Sequence, residues 1–301
     1  IHLVERPLKV VIDAGNGASG PIAEALYTRL GVELIPLYCD PDGRFPNHHP
    51  DPTVEANLVD LRAAILSNRA DLGVAFDGDG DRVGILDREG RVIWGDQLMI
   101  FFARALLKER PGARIIGEVK CSQTFYDAIR DAGGIGEMWR VGHSLIKARM
   151  RETGAPLAGE VSGHIFFADR FFGFDDAAYV GARLIELMSR SPDDLSDWLD
   201  ALPQQFATPE IRVWCPDEYK ERVVQRAIEH YASRYEVITI DGARIQFPEG
   251  WGLIRPSNTQ PVLVMRFEAN TPKMRDELRA DVEGWLLRSA PEVDLTVNPD
   301  H

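Results

Sequence analysis

No apolar run in the chain reaches about 18 residues, the length at which a bilayer-spanning helix would be suspected, so nothing reads as a transmembrane segment. Cysteine is scarce as well. Cys39, Cys121 and Cys215 are scattered, odd in number and without metal-ligand spacing, which excludes a disulfide scaffold and leaves small core thiols in a reducing cytoplasm as the expectation. Positive charge is in deficit, with 34 Lys and Arg against 47 Asp and Glu and a net charge of −13. That balance argues against nucleic acid and against an anionic membrane as partners, so any anionic ligand must be held by few, local cations. Low-complexity segments and long linkers are missing too. The start, Ile1-His2-Leu3-Val4-Glu5, is no signal peptide, and without an initiating Met the chain is expected to be processed, truncated or fragmentary.

What is present is an ordinary globular composition, 45% hydrophobic and 27% charged over 301 residues, enough for two or three domains with proper cores. From Leu8 to Asp87 the pattern predicts strand, helix, strand, helix, strand: Leu8–Asp13, Pro21–Leu30, Glu33–Tyr38, Thr53–Asn68 and Leu72–Phe76. Such alternation implies a parallel α/β layer. A second alternation follows Gly95, with helices over Asp96–Arg110, Ser122–Ala132, Ser144–Glu152, Asp175–Arg190 and Pro192–Leu202 and strands over Arg114–Lys120 and up to Val141. Two units of similar size suggest duplication. After Pro203 come a strand over Pro209–Trp214, a helix over Glu218–Ser233, several short strands to Glu268 and a closing helix Thr271–Arg288 with Pro272 in its first turn, an α+β texture with an antiparallel sheet.

The most informative stretch is Asp77-Gly78-Asp79-Gly80-Asp81-Arg82, between two short apolar runs. Glycine-spaced carboxylates can converge on one point without Cβ clashes, and a hard divalent cation such as Mg²⁺ wants such an oxygen cage. A plain Asp-Gly turn needs one such pair, not three Asp followed by Arg. An EF-hand loop would need Gly at its sixth position and Glu at its twelfth, where Arg82 and Arg88 stand.

Gly15-Asn16-Gly17-Ala18-Ser19-Gly20 matches the dinucleotide fingerprint, with Asp40 downstream. A tight strand-to-helix turn that needs glycine for its backbone explains the same residues, and NAD or FAD binding is the lesser reading. In Gly159-Glu160-Val161-Ser162-Gly163-His164 an extended backbone would put Glu160, Ser162 and His164 on one face, a carboxylate and a hydroxyl suited to sugar hydroxyls. Arg255-Pro256-Ser257-Asn258-Thr259-Gln260-Pro261 reads as a Pro-bounded turn that could cradle phosphate, with Arg266 as further charge. Lys120 at a strand's carboxyl end and His143 before a helix supply further donors.

In order and combination these segments, with Asp13-Ala14-Gly15-Asn16-Gly17, Phe45-Pro46-Asn47-His48-His49-Pro50-Asp51-Pro52 and Gly142-His143-Ser144, resemble the α-D-phosphohexomutases over nearly the whole chain. Val161 and Asn258 resemble the mannose/glucose branch more than the glucosamine branch. The resemblance implies an enzyme interconverting hexose 1-phosphate and 6-phosphate through a hexose 1,6-bisphosphate, with bound Mg²⁺ and a phosphoserine. It implies that Asp77, Asp79 and Asp81 bind the metal, that Arg82 faces the transferring phosphoryl group, and that Glu160 and Ser162 hold sugar hydroxyls. Arg255, Ser257, Asn258 and Thr259 would grip the other phosphate, with Lys120, His143 and His164 near the substrate. The family's Thr-x-Ser-His-Asn-Pro-like serine loop does not occur in these residues. The expectation is therefore domains two to four of the enzyme: two consecutive Rossmann-like mixed α/β domains, 1–92 and 93–203, then an α+β domain, 204–301, inactive without the missing N-terminal serine-bearing domain. The alternatives are a non-catalytic sugar-phosphate-binding fragment or regulator and, from the glycine loop, a nucleotide-linked dehydrogenase.

Overall fold

The structure, a computed structural model, describes residues 1–2 and 5–296. The chain divides into two compact units, Ile1–Leu202 and Pro203–His301.

The first unit begins with β1 (Lys9–Asp13), α1 (Gly20–Leu30) and β2 (Glu33–Leu37), followed by α2 (Val59–Asn68), β3 (Leu72–Phe76), β4 (Val83–Asp87) and β5 (Val92–Ile93). Their sheet has the order β2-β1-β3-β4-β5, with β1 parallel to β2 and β3 and β4 antiparallel to both its neighbours. The expected helix over residues 53–68 is thus shorter: a 3₁₀ turn, Glu55–Leu58, precedes α2. Asp51 explains the late start, because its side chain accepts from the Thr53 N–H at 2.9 Å and offers the backbone a local turn instead.

α3 (Gly95–Glu109) leads into β6 (Arg114–Glu118), α4 (Gln123–Asp131), β7 (Ile135–Trp139), α5 (His143–Thr153), β8 (Leu157–Gly159), β9 (Ile165–Phe167), α6 (Ala177–Arg190) and α7 (Leu195–Asp200). The second sheet runs β7-β6-β8-β9, with β6 parallel to β7 and β8, and β9 antiparallel to β8. Both sheets therefore share one plan: a first strand flanked by two parallel neighbours, then an antiparallel return. Helix starts follow local chemistry, since Ser122 Oγ accepts from the Thr124 N–H and Asp176 accepts from the Tyr179 N–H at 2.9 Å. Asp176 is the cap, so α6 starts two residues later than its sequence pattern suggests. α7 also proves shorter than 192–202, with Asp194 as its cap.

One apolar core runs through this unit, from Val10, Ile12 and Val74 of the first sheet, through α1, α3 and α6, to Ile115 and Leu157 of the second. Tyr27 on α1 is buried and donates its hydroxyl to Ala178 O on α6 at 3.1 Å. This shared core holds the carboxyl ends of both sheets in one body.

The second unit contains β10 (Phe206–Ala207), β11 (Ile211–Trp214), α8 (Asp217–Ala232), β12 (Glu236–Ile238), β13 (Ala243–Phe247), β14 (Gly250–Pro256), β15 (Val262–Ala269) and α9 (Pro272–Ser289). Its sheet is antiparallel, ordered β10-β15-β14-β13-β12 with β11 also on β15. Val223, Ala227 and Tyr231 of α8 and Val282, Trp285 and Leu286 of α9 bury their apolar stripes in its core. Among the described residues no helix is long and apolar enough to cross a membrane.

Candidate active site

The shared sheet plan gives the two polar loops of the first unit equivalent places. Asp77–Arg82 joins β3 to β4, and Glu160–His164 joins β8 to β9. Each sits where a parallel strand ends and the chain turns back, the end of an α/β sheet that carries ligands.

Asp77 organises the first loop. It is buried, its Oδ1 accepts the N–H groups of Gly80, Asp81 and Arg82 at 3.0 Å each, and its Oδ2 accepts from Arg82 Nε at 2.8 Å. Burial pushes this carboxyl up, but the hydrogen bonds from Arg82 and its charge outweigh burial and hold it below the ordinary range. Arg82 is also tied through Nη1 to Asp51 Oδ1 at 3.1 Å. Asp81 is pushed up to about 6, by burial first and then by Asp77 and Asp79, although His164 pulls the other way. Asp81 thus sits among neighbouring carboxylates with too little positive charge beside it. Asp77, Asp79 and Asp81 bring one oxygen each within 4.8 Å of one another, an oxygen-only donor set that fits a hard divalent ion such as Mg²⁺.

The second loop is not the extended segment expected from sequence. Gly163 N–H donates to Glu160 O at 3.1 Å and Glu160 N–H to His164 O at 2.9 Å, so residues 160–164 form a hairpin turn with Gly163 at φ +99. The turn still brings Glu160 and His164 together, because they flank it: His164 Nδ1 lies 2.8 Å from Glu160 Oε2, and Ser162 Oγ is 3.2 Å from the same Nδ1. His164 Nε2 reaches across to Asp81 Oδ1 at 3.2 Å, which joins the two loops. Burial lowers the His164 pKa, but its hydrogen bond to Glu160 and the charges of Glu160, Asp81 and Asp175 raise it above its usual value overall.

The loops also touch through backbone. Val83 N–H donates to Gly163 O at 3.2 Å, and a Cβ on Gly163 would lie 2.3 Å from Val83 O. Gly163→Ala should therefore combine left-handed backbone strain of about 1–3 kcal/mol with a backbone clash, and thermal unfolding should show a lower Tm. An unchanged Tm would mean that the turn rearranges freely and does not set the spacing of the loops.

Lys120 follows β6, largely covered. Its backbone N–H donates to Glu118 Oε2 at 2.8 Å, and its Nζ lies 3.8 Å from Glu118 Oε1. Glu118 is fully buried and also accepts the Val161 N–H at 3.3 Å, so it links Lys120 to the β8–β9 loop. Burial drives its pKa upward, against the pull of Lys120. His143 is the first residue of α5 and half exposed, with Nδ1 2.9 Å from Asp175 Oδ2. Gly142 N–H donates to Glu160 Oε1 at 2.8 Å. The β3–β4 loop, the β8–β9 loop, Lys120 and His143 thus come together in one unit, joined by Glu118, Asp51 and Asp175, the last paired with Lys147 at 2.9 Å, none of which sequence reasoning gave a role. The alternate spacing of Glu118 and Lys120, and the Asp175-Asp176 pair before a helix, were the available signals.

The glycine-rich turn after β1 packs on the same loop. Ala18 N–H donates to Gly78 O at 2.9 Å, and a Cβ on Gly20 would lie 2.1 Å from Cys39 O. Its glycines serve backbone packing.

The expected phosphate turn lies in the second unit. Arg255 sits within β14 rather than on the turn, buried and paired through Nε with Asp241 Oδ2 at 3.1 Å, while its buried Nη2 has no hydrogen-bond partner among the described residues. Ser257 is half-buried, and its Oγ accepts the N–H groups of Thr259 at 3.4 Å and Gln260 at 3.3 Å; Asn258 and Thr259 are exposed. Lys220 of α8, unsuspected from sequence, holds this turn by donating to Ser257 O at 2.6 Å and Gln260 O at 2.8 Å. Strand register places Arg266 opposite Leu253, on the same sheet face as Arg255 opposite Val264.

Fold and site together define an α/β protein with duplicated sheets, an acidic loop with a compact oxygen donor set and a histidine-bearing partner loop. The phosphoglucomutase/phosphomannomutase family models match most of its length: alpha/beta/alpha domain II over residues 2–90, alpha/beta/alpha domain III over 94–206 and the C-terminal domain over 210–284. The chain belongs to this family. It is 48% identical over 295 residues to the phosphomannomutase/phosphoglucomutase of Pseudomonas syringae pv. tomato, covering 97% of this chain and 63% of that protein. To the phosphoglucomutase of Neisseria meningitidis serogroup A it is 46% identical over 287 residues, covering 93% of this chain and 62% of that protein. A crystal structure of a phosphoglucomutase/phosphomannomutase family protein from Burkholderia thailandensis superposes with a TM-score of 0.91 at 44% identity, over 97% of this chain and 63% of that one. The chain thus spans less than two thirds of the length of these relatives.

Proposed function

We propose that these residues supply the metal, sugar and phosphate sites of a phosphohexose mutase that interconverts hexose 1-phosphate and hexose 6-phosphate through a 1,6-bisphosphate, glucose and mannose phosphates being the candidate substrates. The observation that carries this reading is the His164 Nε2 to Asp81 Oδ1 contact at 3.2 Å, which puts the sugar loop against the metal loop. Asp77, Asp79 and Asp81 would hold Mg²⁺, which when bound neutralises charge on the transferring phosphoryl group. Arg82, fixed by Asp77 and Asp51, faces that group. Glu160 and Ser162 receive sugar hydroxyls, and Lys120, His143 and His164 supply donors and proton-holding groups beside them. Arg255, Ser257, Asn258 and Thr259 hold the non-reacting phosphate, and the unanswered Arg255 Nη2 supports that role.

The phosphoryl carrier would be a serine outside these 301 residues, on the family's serine-bearing domain. The domains would be 1–92, 93–203 and 204–301, a division supported by the two separate sheets of the first unit. A cytoplasmic setting accords with three free cysteines, of which Cys39 is pushed up to about 12, chiefly by burial, and is a poor nucleophile.

Calorimetry tests the metal loop. Mg²⁺ and Mn²⁺ should bind weakly, with water in place of the serine-borne ligand, and Asp79→Asn should abolish the heat while leaving the fold intact. Absence of heat with millimolar metal, or binding unchanged in Asp79→Asn, would remove the basis of the assignment.

A further inference from the structure

Four side chains given separate tasks above also form one compact donor set. Asp81 comes from the β3–β4 loop, His164 from the β8–β9 loop, His143 from the first turn of α5 and Asp175 from the segment leading into α6. One ligand atom from each lies within 4.8 Å of the others. Two edges of the set are shorter, 3.2 Å from His164 Nε2 to Asp81 Oδ1 and 2.9 Å from His143 Nδ1 to Asp175 Oδ2. Metal–ligand bonds of about 2.0–2.2 Å in a tetrahedral zinc site imply ligand–ligand edges of about 3.3–3.6 Å. These two edges would open by about 0.1–0.7 Å, while the remaining edges, within 4.8 Å, would settle into the same range.

The donor chemistry differs from that of the neighbouring cage. Asp77, Asp79 and Asp81 offer oxygen alone, whereas this set offers two imidazoles and two carboxylates, a mixture suited to zinc, cobalt or nickel rather than magnesium. Partners behind the donors are also in place. Glu160 Oε2 lies 2.8 Å from His164 Nδ1, which leaves Nε2 as the donor atom toward Asp81, and Lys147 Nζ lies 2.9 Å from Asp175 Oδ1, which leaves Oδ2 beside His143. Such outer contacts fix ligand orientation in metal sites.

We propose that Asp81, His143, His164 and Asp175 form a second divalent-metal site, for a transition ion such as Zn²⁺, that shares Asp81 with the carboxylate cage. Binding at this site does not depend on the mutase reading. Its consequence does: an ion that draws Asp81 from the cage and occupies His143 and His164 opposes both Mg²⁺ and the hexose phosphate, and so inhibits.

The test is titration of the chelator-treated chain with Co²⁺, whose visible spectrum is intense in four-coordinate sites and weak in six-coordinate ones. The expected result is an intense spectrum that Zn²⁺ removes stoichiometrically and a large excess of Mg²⁺ does not. His143→Asn, at a half-exposed position, should weaken Co²⁺ binding more than about tenfold, as should Asp175→Asn, with circular dichroism confirming that each variant folds. Asp79→Asn should retain the intense spectrum. A weak six-coordinate spectrum, no binding, or loss in Asp79→Asn with retention in His143→Asn would overturn the proposal. Because calorimetry with Mg²⁺ reads the carboxylate cage separately, failure here and failure of the mutase reading are distinguishable.

Discussion

If the mutase reading holds, Arg82→Ala in a longer protein carrying the proposed serine-bearing domain should lower kcat for glucose 1-phosphate by about 10²–10³-fold, as loss of a preorganised donor to a charged transition state does. The guanidinium is held at two points, Nε on Asp77 Oδ2 at 2.8 Å and Nη1 on Asp51 Oδ1 at 3.1 Å. Those contacts leave Nη2 available to a phosphoryl oxygen and fix the plane in which it donates. Arg82→Lys should rescue little, since an ammonium cannot satisfy two carboxylates in that fork geometry and still present a directed donor. The fold should survive, because Asp77 keeps its three backbone donors. A coupled assay with Mg²⁺ and the 1,6-bisphosphate decides the matter. An unchanged kcat with a raised KM would make Arg82 a ground-state binding residue, and no change in either would place the phosphoryl contact elsewhere.

Arg183→Ala should cost stability on the order of 3–5 kcal/mol, since it removes a buried guanidinium paired to Asp169, although Arg170 stays near that carboxylate. Arg183 lies on α6, 7% exposed at its side chain, with Nη1 and Nη2 each 2.9 Å from an Asp169 oxygen, a further 3.1 Å contact to Tyr179 Oη and its guanidinium 4.3 Å from the centre of the Phe167 ring. For a unit of this size each kcal/mol shifts Tm by roughly 2–4 °C, so the loss should be about 6–20 °C. Asp169 carries the pH signature. Burial raises its pKa, but the hydrogen bonds and charge of Arg183 lower it more, and the net position is below the ordinary 3.8. A depressed carboxylate stabilises the fold above its unfolded pKa and ceases to as pH falls through its folded value. The Tm gap between native and variant should therefore be full near neutrality and narrow below about pH 4. Arg183→Met combined with Asp169→Leu should recover much of the loss; failure to do so would mean that Arg183 acts through ring packing rather than charge. The cluster matters for the site because Ala177, which opens α6, donates its N–H to Gly80 O at 3.0 Å within the acidic Asp77–Arg82 loop.

Much of this molecule is legible along the chain because the relevant physics is local. The strands of the first sheet, the antiparallel texture after Pro203 and the acidic loop with its trailing arginine follow from apolar periodicity and from glycine between carboxylates, signals that need no distant partner. The glycine-rich turn's fingerprint was visible but its meaning was not: packing against Gly78 and Cys39 accounts for its small residues. Misreadings arose where a neighbour distant in sequence decides conformation. Residues 160–164 look like a polar strand face, yet they turn sharply because Gly163 takes φ +99 and lies against Val83 of the other sheet. Arg255 looks like a loop cation, yet β15 pairs with its segment and Asp241 covers its charge.

By itself, then, the sequence determined which segments form strands and helices and which short loops carry carboxylate, imidazole, hydroxyl and guanidinium groups. Only the tertiary structure decided which of those groups meet. Asp81 and His164 are 83 positions apart, and no periodicity relates them; they touch because two sheets of the same plan are held around one apolar core, so that their β-hairpin loops converge. Glu118 and Asp175 escaped notice for the same reason, since a lone carboxylate acquires a role only when burial removes water and a partner from another strand or helix arrives to pair with it.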